Sequence, residues 1–417
     1  MNKILIPELR FPEFSFERNW KIEKLSELGE LINGLTYSPD DVREEGLLVL
    51  RSSNIQNGLI DLNDLVYVRK DIKGANLSEP NDILICVRNG SKKLIGKNAI
   101  IPKDLHFVTH GAFMTVFRAK NSEFVFQLFQ TDMYDRLVKA DLGATINSIN
   151  GKNFLKYEFP VPENPKEQRK IADCLSSLDE VIKAQSLKLD LLKDHKNGLL
   201  QNLFPQGGET VPKFRFPEFI NDAEWVEKTL DEVATFLKGK GVSKSDIAEN
   251  GSLPCIRYGE LYTHYNETIS VIKSYTNLST NDLVLSKAND VIIPASGETQ
   301  EDIATASCVL ADGIALGGDL NIIRTKINGV FLSYLMNNAK KKEIAQLAQG
   351  ISVVHLYSNQ LKTLKINIPK LKEQQKTASC LSVLDELIAS QVKQIEHLKQ
   401  HKKGLMQGLF PKINYRK

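Results

Sequence analysis

The sequence predicts an α+β protein: two pseudo-symmetric domains, each a curved β-sheet with helices, joined by two long helices packed as an antiparallel coiled coil. Two observations predict this fold class. First, residues 7–14 (PELRFPEF) recur as residues 212–219 (PKFRFPEF), and residues 167–205 recur as residues 373–411. The 417 residues are therefore two tandem copies of one plan. Second, each copy ends in a long stretch with the apolar periodicity of a coiled coil.

The middle of each copy combines short β-rich runs with Gly, Asn and Pro turns, as at 47–50 and 83–87 in the first copy and 291–293 and 320–323 in the second. Helical patterns follow at residues 122–141 and 329–348. We interpret these middles as compact α+β domains, called heads below. The predicted order along the chain is a first head at 1–163, a first helix at 164–206, a second head at 207–369 and a second helix at 370–417.

The first long helix is predicted to begin with Asn164 as its N-cap and Pro165 at its first helical position. Alternating steps of four and three residues define a seam, the stripe by which one coiled-coil helix contacts another. Its apolar members include Ile171, Leu175, Leu178, Ile182, Leu189 and Leu192 in the first helix, and Leu381, Leu384, Ile388, Ile395, Leu398 and Leu405 in the second.

Four polar residues interrupt the seams at equivalent positions, Gln185 with Gln391 and Lys196 with Lys402. A polar seam residue costs stability and usually fixes the register of the helices. The two seams in one chain are natural partners for each other. The alternative is that they dimerise the protein with a second copy of itself.

Composition excludes several classes of protein. The net charge of +3 does not indicate a strongly basic nucleic-acid-binding domain, although a basic cleft can lie on a nearly neutral chain. Five cysteines without a CxxC pair predict a reducing, cytoplasmic environment and no disulfide framework. No phosphate-binding loop, GxSxG, HExxH or deaminase signature occurs, so we expect neither a catalytic site nor a metal site.

Several polar, turn-like segments are candidates for ligand contact. Residues 83–103 carry no acidic side chain, and lysines and loop N–H groups suit phosphate, whereas Arg and Asn read the edges of guanine and adenine. The candidates in the first head are Arg51, Asn54, Arg88, Asn89, Ser91, Lys92, Lys93 and Lys97. Those in the second head are Lys238, Lys240, Lys244, Arg257, Tyr258, Glu260, Tyr262, Ser296, Glu298 and Thr299.

Further motifs occur once in each half. They are the PxxRFPEF opening followed by Trp20 or Trp225, the helix starts KEQRKIA (166–172) and KEQQKTA (372–378), the Leu-Asp-Glu cores at 178–182 and 384–388, and the endings HKNGLLQNLFP (195–205) and HKKGLMQGLFP (401–411). In these motifs and their separation, the whole chain resembles the specificity (S) subunit of a type I restriction-modification system.

The resemblance implies a function. Each head would be a target recognition domain that reads one half of an asymmetric bipartite site in double-stranded DNA. The helices would set the gap and dock two modification (M) subunits, which bind S-adenosylmethionine and methylate adenine. Restriction (R) subunits would add ATP-driven cleavage with Mg²⁺. This chain would itself be non-catalytic and hold no cofactor.

Three alternatives remain open from the sequence. The chain could be a coiled-coil scaffold whose two heads bind something other than DNA. It could be an enzyme with Ser296 or Asp319 in a hydrolytic site. It could also serve a different multisubunit methyltransferase or nuclease.

Overall fold

The structure of the protein is a computed structural model that describes residues 5–142, 147–350 and 353–412. The chain divides into two compact units. Unit 1 comprises Met1–Ser186 with Gln394–Lys417, and unit 2 comprises Leu187–Lys393. Each unit therefore contains one head and a part of each long helix. The predicted linear boundaries at residues 163, 206 and 369 stay a prediction, and residues 1–4 and 413–417 of the outer segments lie outside the described residues.

The first half of the chain contains the following strands and helices. They are β1 (Lys21–Lys24), α1 (Leu25–Leu28), β2 (Gly29–Asn33), β3 (Val42–Arg43), β4 (Leu47–Leu50), β5 (Ile55–Gln56), β6 (Leu59–Ile60), β7 (Tyr67–Val68), β8 (Ile83–Cys86), β9 (Asn98–Ile100), β10 (Val108–His110), β11 (Met114–Ala119), α2 (Ser122–Leu128), α3 (Asp132–Asp141), α4 (Gly151–Phe154), β12 (Glu158–Val161) and α5 (Pro165–Asn202).

The second half repeats this order with changes in the head. Its elements are β13 (Val226–Thr229), α6 (Leu230–Val233), β14 (Ala234–Lys238), β15 (Leu253–Ile256), α7 (Tyr258–Thr263), β16 (Thr268–Ile269), β17 (Ser274–Thr276), β18 (Asp290–Pro294), β19 (Ser296–Gly297), α8 (Gln300–Ile303), β20 (Ser307–Val309), β21 (Ala315–Leu316), β22 (Leu320–Thr325), α9 (Gly329–Asn337), α10 (Lys341–Leu347), β23 (Val354–His355), α11 (Ser358–Lys362), β24 (Lys365–Ile368) and α12 (Leu371–Leu409).

Mixed sheets and short helices build both heads, as predicted. The first head has sheets of order β10-β4-β7-β3 and β2-β11-β8-β9, and the second has sheets of order β14-β22-β18-β20-β16 and β17-β15-β21. Every residue of β4, β8 and β18 is buried, because these predominantly apolar strands are covered on both faces. The predicted helical patterns each form two helices, α2 with α3 and α9 with α10.

In unit 1, a buried ion pair joins the opening segment to the start of α5. Arg10 donates two hydrogen bonds to the Glu167 carboxylate, from Nε at 2.7 Å and from Nη2 at 2.8 Å. Trp20 Nε1 donates to the same carboxylate at 3.2 Å. The Glu167 side chain is 1% exposed, so its charge is stable only because these three donors replace water. The RFPEF…W motif and the helix start are thus two halves of one site.

Unit 2 repeats this arrangement with Arg215, Glu373 and Trp225. Arg215 donates to Glu373 from Nε and Nη2, both at 2.8 Å, and Trp225 Nε1 donates at 3.1 Å. Hydrogen bonding to Glu373 raises the pKa of the Arg215 guanidinium. The repeated motifs therefore have a structural role in both units.

Within each unit the two long helices are antiparallel. In unit 1, Leu175 near the start of α5 and Met406 near the end of α12 belong to one hydrophobic core, and Phe410 packs against Trp20 with ring centres 6.1 Å apart. In unit 2, Leu203 and Leu381 share the equivalent core. Each apolar position of the predicted seam is buried or half-buried.

The two lysines of the seam form ion pairs, one within each unit. In unit 1, Lys402 Nζ lies 2.6 Å from Asp179. In unit 2, Lys196 Nζ lies 2.6 Å from Asp385 and 3.3 Å from Glu267 of the head. Both pairs join α5 to α12, so the lysines fix which residues of the two helices face each other, as the sequence predicts.

Replacing Glu373 by Gln will destabilise unit 2. The variant leaves Arg215 buried without its counter-charge, and we expect the free energy of unfolding to fall by about 3–5 kcal/mol. Urea unfolding followed by tryptophan fluorescence measures this loss, because Trp225 contacts the altered side chain. The matched control is Glu227→Gln, which removes an exposed partner of Lys365 and should leave the midpoint almost unchanged. Equal midpoints for both variants would contradict the assignment.

The seam pair of unit 1 is tested by a double-mutant cycle. Lys402→Met leaves Asp179 in the seam without its partner, and we expect a loss of about 1–2 kcal/mol, a moderate value because 37% of the Asp179 side chain is exposed. Adding Asp179→Leu should restore most of this loss, since it removes the unpaired charge. Urea denaturation of the four proteins gives the coupling energy. Strictly additive effects would show that the two residues do not stabilise each other.

Candidate nucleic-acid interface

In unit 1 the chain leaves the buried strand β8 and enters an exposed turn. Main-chain contacts pair this turn with a segment about sixty residues later: Ile149 N donates to Val87 O at 2.8 Å, and Arg88 forms an antiparallel bridge with Ser148. Residues 88–91 and 147–148 thus form one small surface, called platform 1 below.

The side chains of platform 1 are polar and partly held in place. The Arg88 side chain is exposed, and its guanidinium carbon lies 5.8 Å from the centre of the Phe113 ring. Asn89 Nδ2 donates to Ser52 Oγ at 3.2 Å, and Asn147 Nδ2 donates to a carbonyl of the turn at 3.1 Å. The platform therefore presents a guanidinium and two amides.

Cationic residues follow platform 1 directly. Ser91 N donates to Asn89 Oδ1 at 3.0 Å, which closes the turn. Lys92 and Lys93 are exposed in the 3₁₀ turn that follows, whereas Lys97 is half-buried beside β9. The exposed pair suits phosphate oxygens, and the position of Lys97 makes it a weaker candidate.

Arg51 and Asn54 lie in the turn after β4. Asn54 is fully buried: its Oδ1 accepts from Arg51 N at 2.8 Å, and its Nδ2 donates to two main-chain carbonyls. Arg51 pairs with Asp64 at 2.7 Å. Asn54 therefore shapes the turn, and Arg51 is the member of this pair that solvent reaches.

Unit 2 contains an equivalent surface beyond β18. Leu356 N donates to Ala295 O at 3.0 Å, and Ser296 pairs with His355 in the antiparallel ladder of β19 and β23. Residues 296–299 and 355–357 are called platform 2 below. The two platforms occupy the same place, since each follows the buried strand that pairs with β11 or β22.

Platform 2 has different chemistry. Glu298 is exposed, and the rings of His355 and Tyr357 stack with centres 6.1 Å apart and an interplanar angle of 20°. Burial raises the pKa of Tyr262, and the nearby Tyr258 and Glu298 raise it further.

Ser296 and Thr299 are mainly structural. Ser296 is buried in β19. Thr299 is the N-cap of α8: its Oγ1 accepts from Asp302 N at 3.0 Å and donates to the Asp302 carboxylate at 2.7 Å. These two residues hold platform 2 in shape and leave Glu298 as its exposed charge.

Arg257 and Glu260 correspond to Arg51 and Asn54 of the first head. The buried Glu260 carboxylate accepts from Arg257 N at 3.0 Å and from Arg257 Nη2 at 3.1 Å. It also accepts a hydrogen bond from Ser274 Oγ. Glu260 is therefore a turn-forming residue, and the neighbouring Tyr258 is the accessible one.

The lysines predicted in the second head lie along its exposed edge. Lys238 ends β14, Lys240 lies 3.4 Å from Asp282, and Lys244 begins a 3₁₀ turn. All three are exposed. They suit phosphate contact more than base contact, because lysine is a mobile point charge without a planar fork.

Sequence reasoning missed the second segment of each platform. Strand pairing over long sequence separations brings in Asn147 and Ser148 in unit 1 and His355 and Tyr357 in unit 2. It also missed Ser52 and Phe113, whose side chains contact Asn89 and Arg88 of platform 1. The sequence offers one signal for these second segments. Residues 148 and 355 are separated, to within one residue, by the same offset of about 206 that relates the two copies.

Two buried cysteines of the second head are poor nucleophiles. Burial raises the pKa of the Cys255 thiol to about 11 and that of Cys308 to about 12, so both stay protonated at neutral pH. Within the described ranges, His, Cys, Asp and Glu side chains form no group of three or more that could hold a metal ion. Over these same residues, each helix is too short or too polar to span a membrane.

Solved structures share this fold. The crystal structure of the type I restriction-modification S subunit from M. genitalium aligns with a TM-score of 0.62 at 16% identity, over 98% of this chain and all of that chain. A structure from work on assembly and conformational transition of the type I system aligns with a TM-score of 0.52, also at 16% identity, over 94% of this chain and 97% of that chain. At such low identity these matches establish the fold alone.

Sequence relatives extend the likeness. The putative type I restriction enzyme MjaX specificity subunit of Methanocaldococcus jannaschii is 26% identical over 411 residues, which are 94% of this chain and 93% of the relative. The type I restriction enzyme EcoKI specificity subunit of Escherichia coli K12 is 33% identical over 170 residues, 38% of this chain and 36% of the relative. The family model described as type I restriction modification DNA specificity domain matches residues 17–192 and 222–400. Because both halves match, the chain belongs to the family of type I restriction-modification DNA specificity subunits.

Proposed function

We propose that this specificity subunit reads an asymmetric bipartite DNA sequence, one half-site per head. One observation carries the proposal. Both units repeat a buried strand, β8 or β18, followed by the same main-chain pairing of two segments, but they present different side chains at the same exposed position. A guanidinium dominates platform 1 and a carboxylate with aromatic rings dominates platform 2. Because the exposed side chains differ while the strands that support them are equivalent, we expect the two heads to recognise two different half-sites.

We assign DNA contacts to those candidate residues whose side chains solvent reaches. The exposed Arg88 with the half-buried Asn89 in the first head, and the exposed Tyr258 and Glu298 in the second, would meet base edges. The phosphate contacts would come from exposed cations, which fix register without reading sequence. These are Lys92, Lys93, Lys238, Lys240 and Lys244. The buried Asn54, Glu260 and Ser296 would act by holding the turns.

Modification subunits would dock on the long helices. In unit 2, Leu187 and Leu191 of α5 are 61% and 60% exposed, and Val383 and Leu387 of α12 are 55% and 52% exposed. Leu187 and Leu191 are one turn apart and share a face of α5, as do Val383 and Leu387 on α12. Such pairs outside the seam favour contact with a partner protein.

The chemistry would belong to the partners. We propose two modification subunits that bind S-adenosylmethionine and methylate adenine at N6, and restriction subunits that use ATP and Mg²⁺. The present chain would contribute recognition and assembly in the cytoplasm, where the DNA is. The turns that lead from β8 and β18 and the outer faces of the helices would be its two working surfaces.

Co-expression with its modification subunit tests the proposal. Single-molecule sequencing of host DNA should show N6-methyladenine in one asymmetric bipartite motif with a fixed gap. The fixed gap follows because two heads on one chain bind as a linked pair whose separation the helices limit. A palindromic motif would contradict the assignment of two different readers. A complex that forms and methylates no motif would contradict the proposed function itself.

Leu187→Glu with Leu191→Glu should weaken the complex with the modification subunit. Burying two carboxylates in an apolar contact is costly, and we expect at least a tenfold rise in Kd, measured by titration of the purified subunits. The matched control is Asn197→Glu, which adds a charge at an exposed polar position of α5 and should leave Kd unchanged. Unchanged affinity of the double variant would show that partners dock elsewhere.

A further inference from the structure

We propose that the two platforms are the base-reading elements and that Arg88 and Glu298 each set the identity of one base pair, a guanine in one half-site and a cytosine in the other. The inference deepens the proposed function and rests on it. It assigns to each half-site a specific residue and a specific base.

The frame of both platforms is the same and is made by the main chain. The bond from Ile149 N to Val87 O in unit 1 corresponds to the bond from Leu356 N to Ala295 O in unit 2. The bridge between Arg88 and Ser148 corresponds to the pairing of Ser296 and His355. Because main-chain groups hold the two segments, their side chains can differ without disturbing the fold. Such a position suits residues that determine sequence preference.

Arg88 has the properties of a guanine reader. Its side chain is exposed, so both terminal nitrogens are free to donate in parallel to O6 and N7 of guanine. The Phe113 ring, 5.8 Å from the guanidinium carbon, supports the side chain from one face and reduces the entropy lost on binding. Among the residues that the structure describes, no carboxylate forms an ion pair with Arg88, whereas Arg51 is paired with Asp64. Arg51 is therefore the poorer reader.

Glu298 is informative because a carboxylate on a DNA-binding surface is repelled by phosphate. It is tolerated where it meets a base edge that donates a hydrogen bond, and the N4 amino group of cytosine is such a donor. Glu298 is exposed in platform 2, directly before the N-cap of α8. Two nearby carboxylates are already engaged: Glu260 is buried and accepts hydrogen bonds from Arg257 and Ser274, and Asp302 accepts one from Thr299. Glu298 is therefore the carboxylate of platform 2 to which we assign base reading.

His355 and Tyr357 complete platform 2 as positioning residues. Their stacked rings are on the segment that pairs with Ser296, and both side chains are exposed. An exposed aromatic pair presents a flat apolar face at low entropic cost. It can pack against the thymine methyl group or the sugar beside the base that Glu298 contacts.

The test maps methylation in cells that express the modification subunit with the full-length chain or with a variant. Arg88→Gln should lower the preference for guanine about 5- to 150-fold at one position of one half-site, because the bidentate contact is lost. Glu298→Gln should lower the preference for cytosine at one position of the other half-site. In each case the unaltered half-site is the internal control.

Two control variants separate base reading from general effects. Lys21→Gln removes an exposed cation on β1, in the separate two-stranded sheet with β12, and should leave both motif and extent of methylation unchanged. Lys93→Gln removes an exposed cation beside platform 1 and should reduce methylation equally at all motif variants. Purified complexes are also titrated with DNA duplexes that differ at single positions. These titrations measure the base preference in binding even for a variant that no longer methylates.

The outcomes are distinct. Loss of discrimination at one position, in opposite half-sites for the two variants, supports the inference. Unchanged discrimination by either variant, or equally reduced binding to every duplex, overturns it, since Arg88 or Glu298 would then contact no base or only the backbone. If the unaltered chain yields no bipartite motif, the proposed function fails and the platforms are not at issue.

Discussion

The structure depends on a buried carboxylate at the start of each long helix. Glu167 and Glu373 would be costly inside the protein, yet each accepts two hydrogen bonds from an arginine and one from a tryptophan. The same arginines donate to main-chain carbonyls near residues 17 and 222, so one ion pair fixes the opening loop, the tryptophan and the helix together. The direction in which each helix leaves its head follows from this contact.

A second constraint acts further along the helices and shows how one frame accepts different heads. Asp179 receives Lys402 and, from the head, Gln127 Nε2 at 3.2 Å. The equivalent Asp385 receives Lys196 and the Tyr334 hydroxyl at 2.5 Å. The helix residues are the same in both units, whereas the head contributes an amide in one and a phenol in the other. The two heads therefore differ even in the side chains that contact these helix residues, whereas the Lys–Asp ion pair itself is the same in both units.

The sequence predicted the repeat, the seam and the strand–turn character of the heads, because periodicity and turn chemistry are local signals. It could not show that Arg10 and Trp20 meet Glu167, about 150 residues away. It also treated Asn54 and Glu260 as candidate ligand contacts, whereas both are buried capping residues, because a polar turn residue looks alike whether it faces solvent or its own backbone.

The separation of buried frame from exposed platform has a consequence for how such a protein changes specificity. The paired segments of each platform are held by main-chain hydrogen bonds, which any residue except proline can make. Exchange of an exposed side chain there leaves the burial of β8 or β18 and the Arg–Glu pairs untouched, so it costs little stability. Substitution of a residue in one of the buried Arg–Glu pairs leaves a buried charge without its partner and costs much more stability. Substitution is therefore tolerated at the exposed platform positions and costly at the buried ion pairs that begin the long helices.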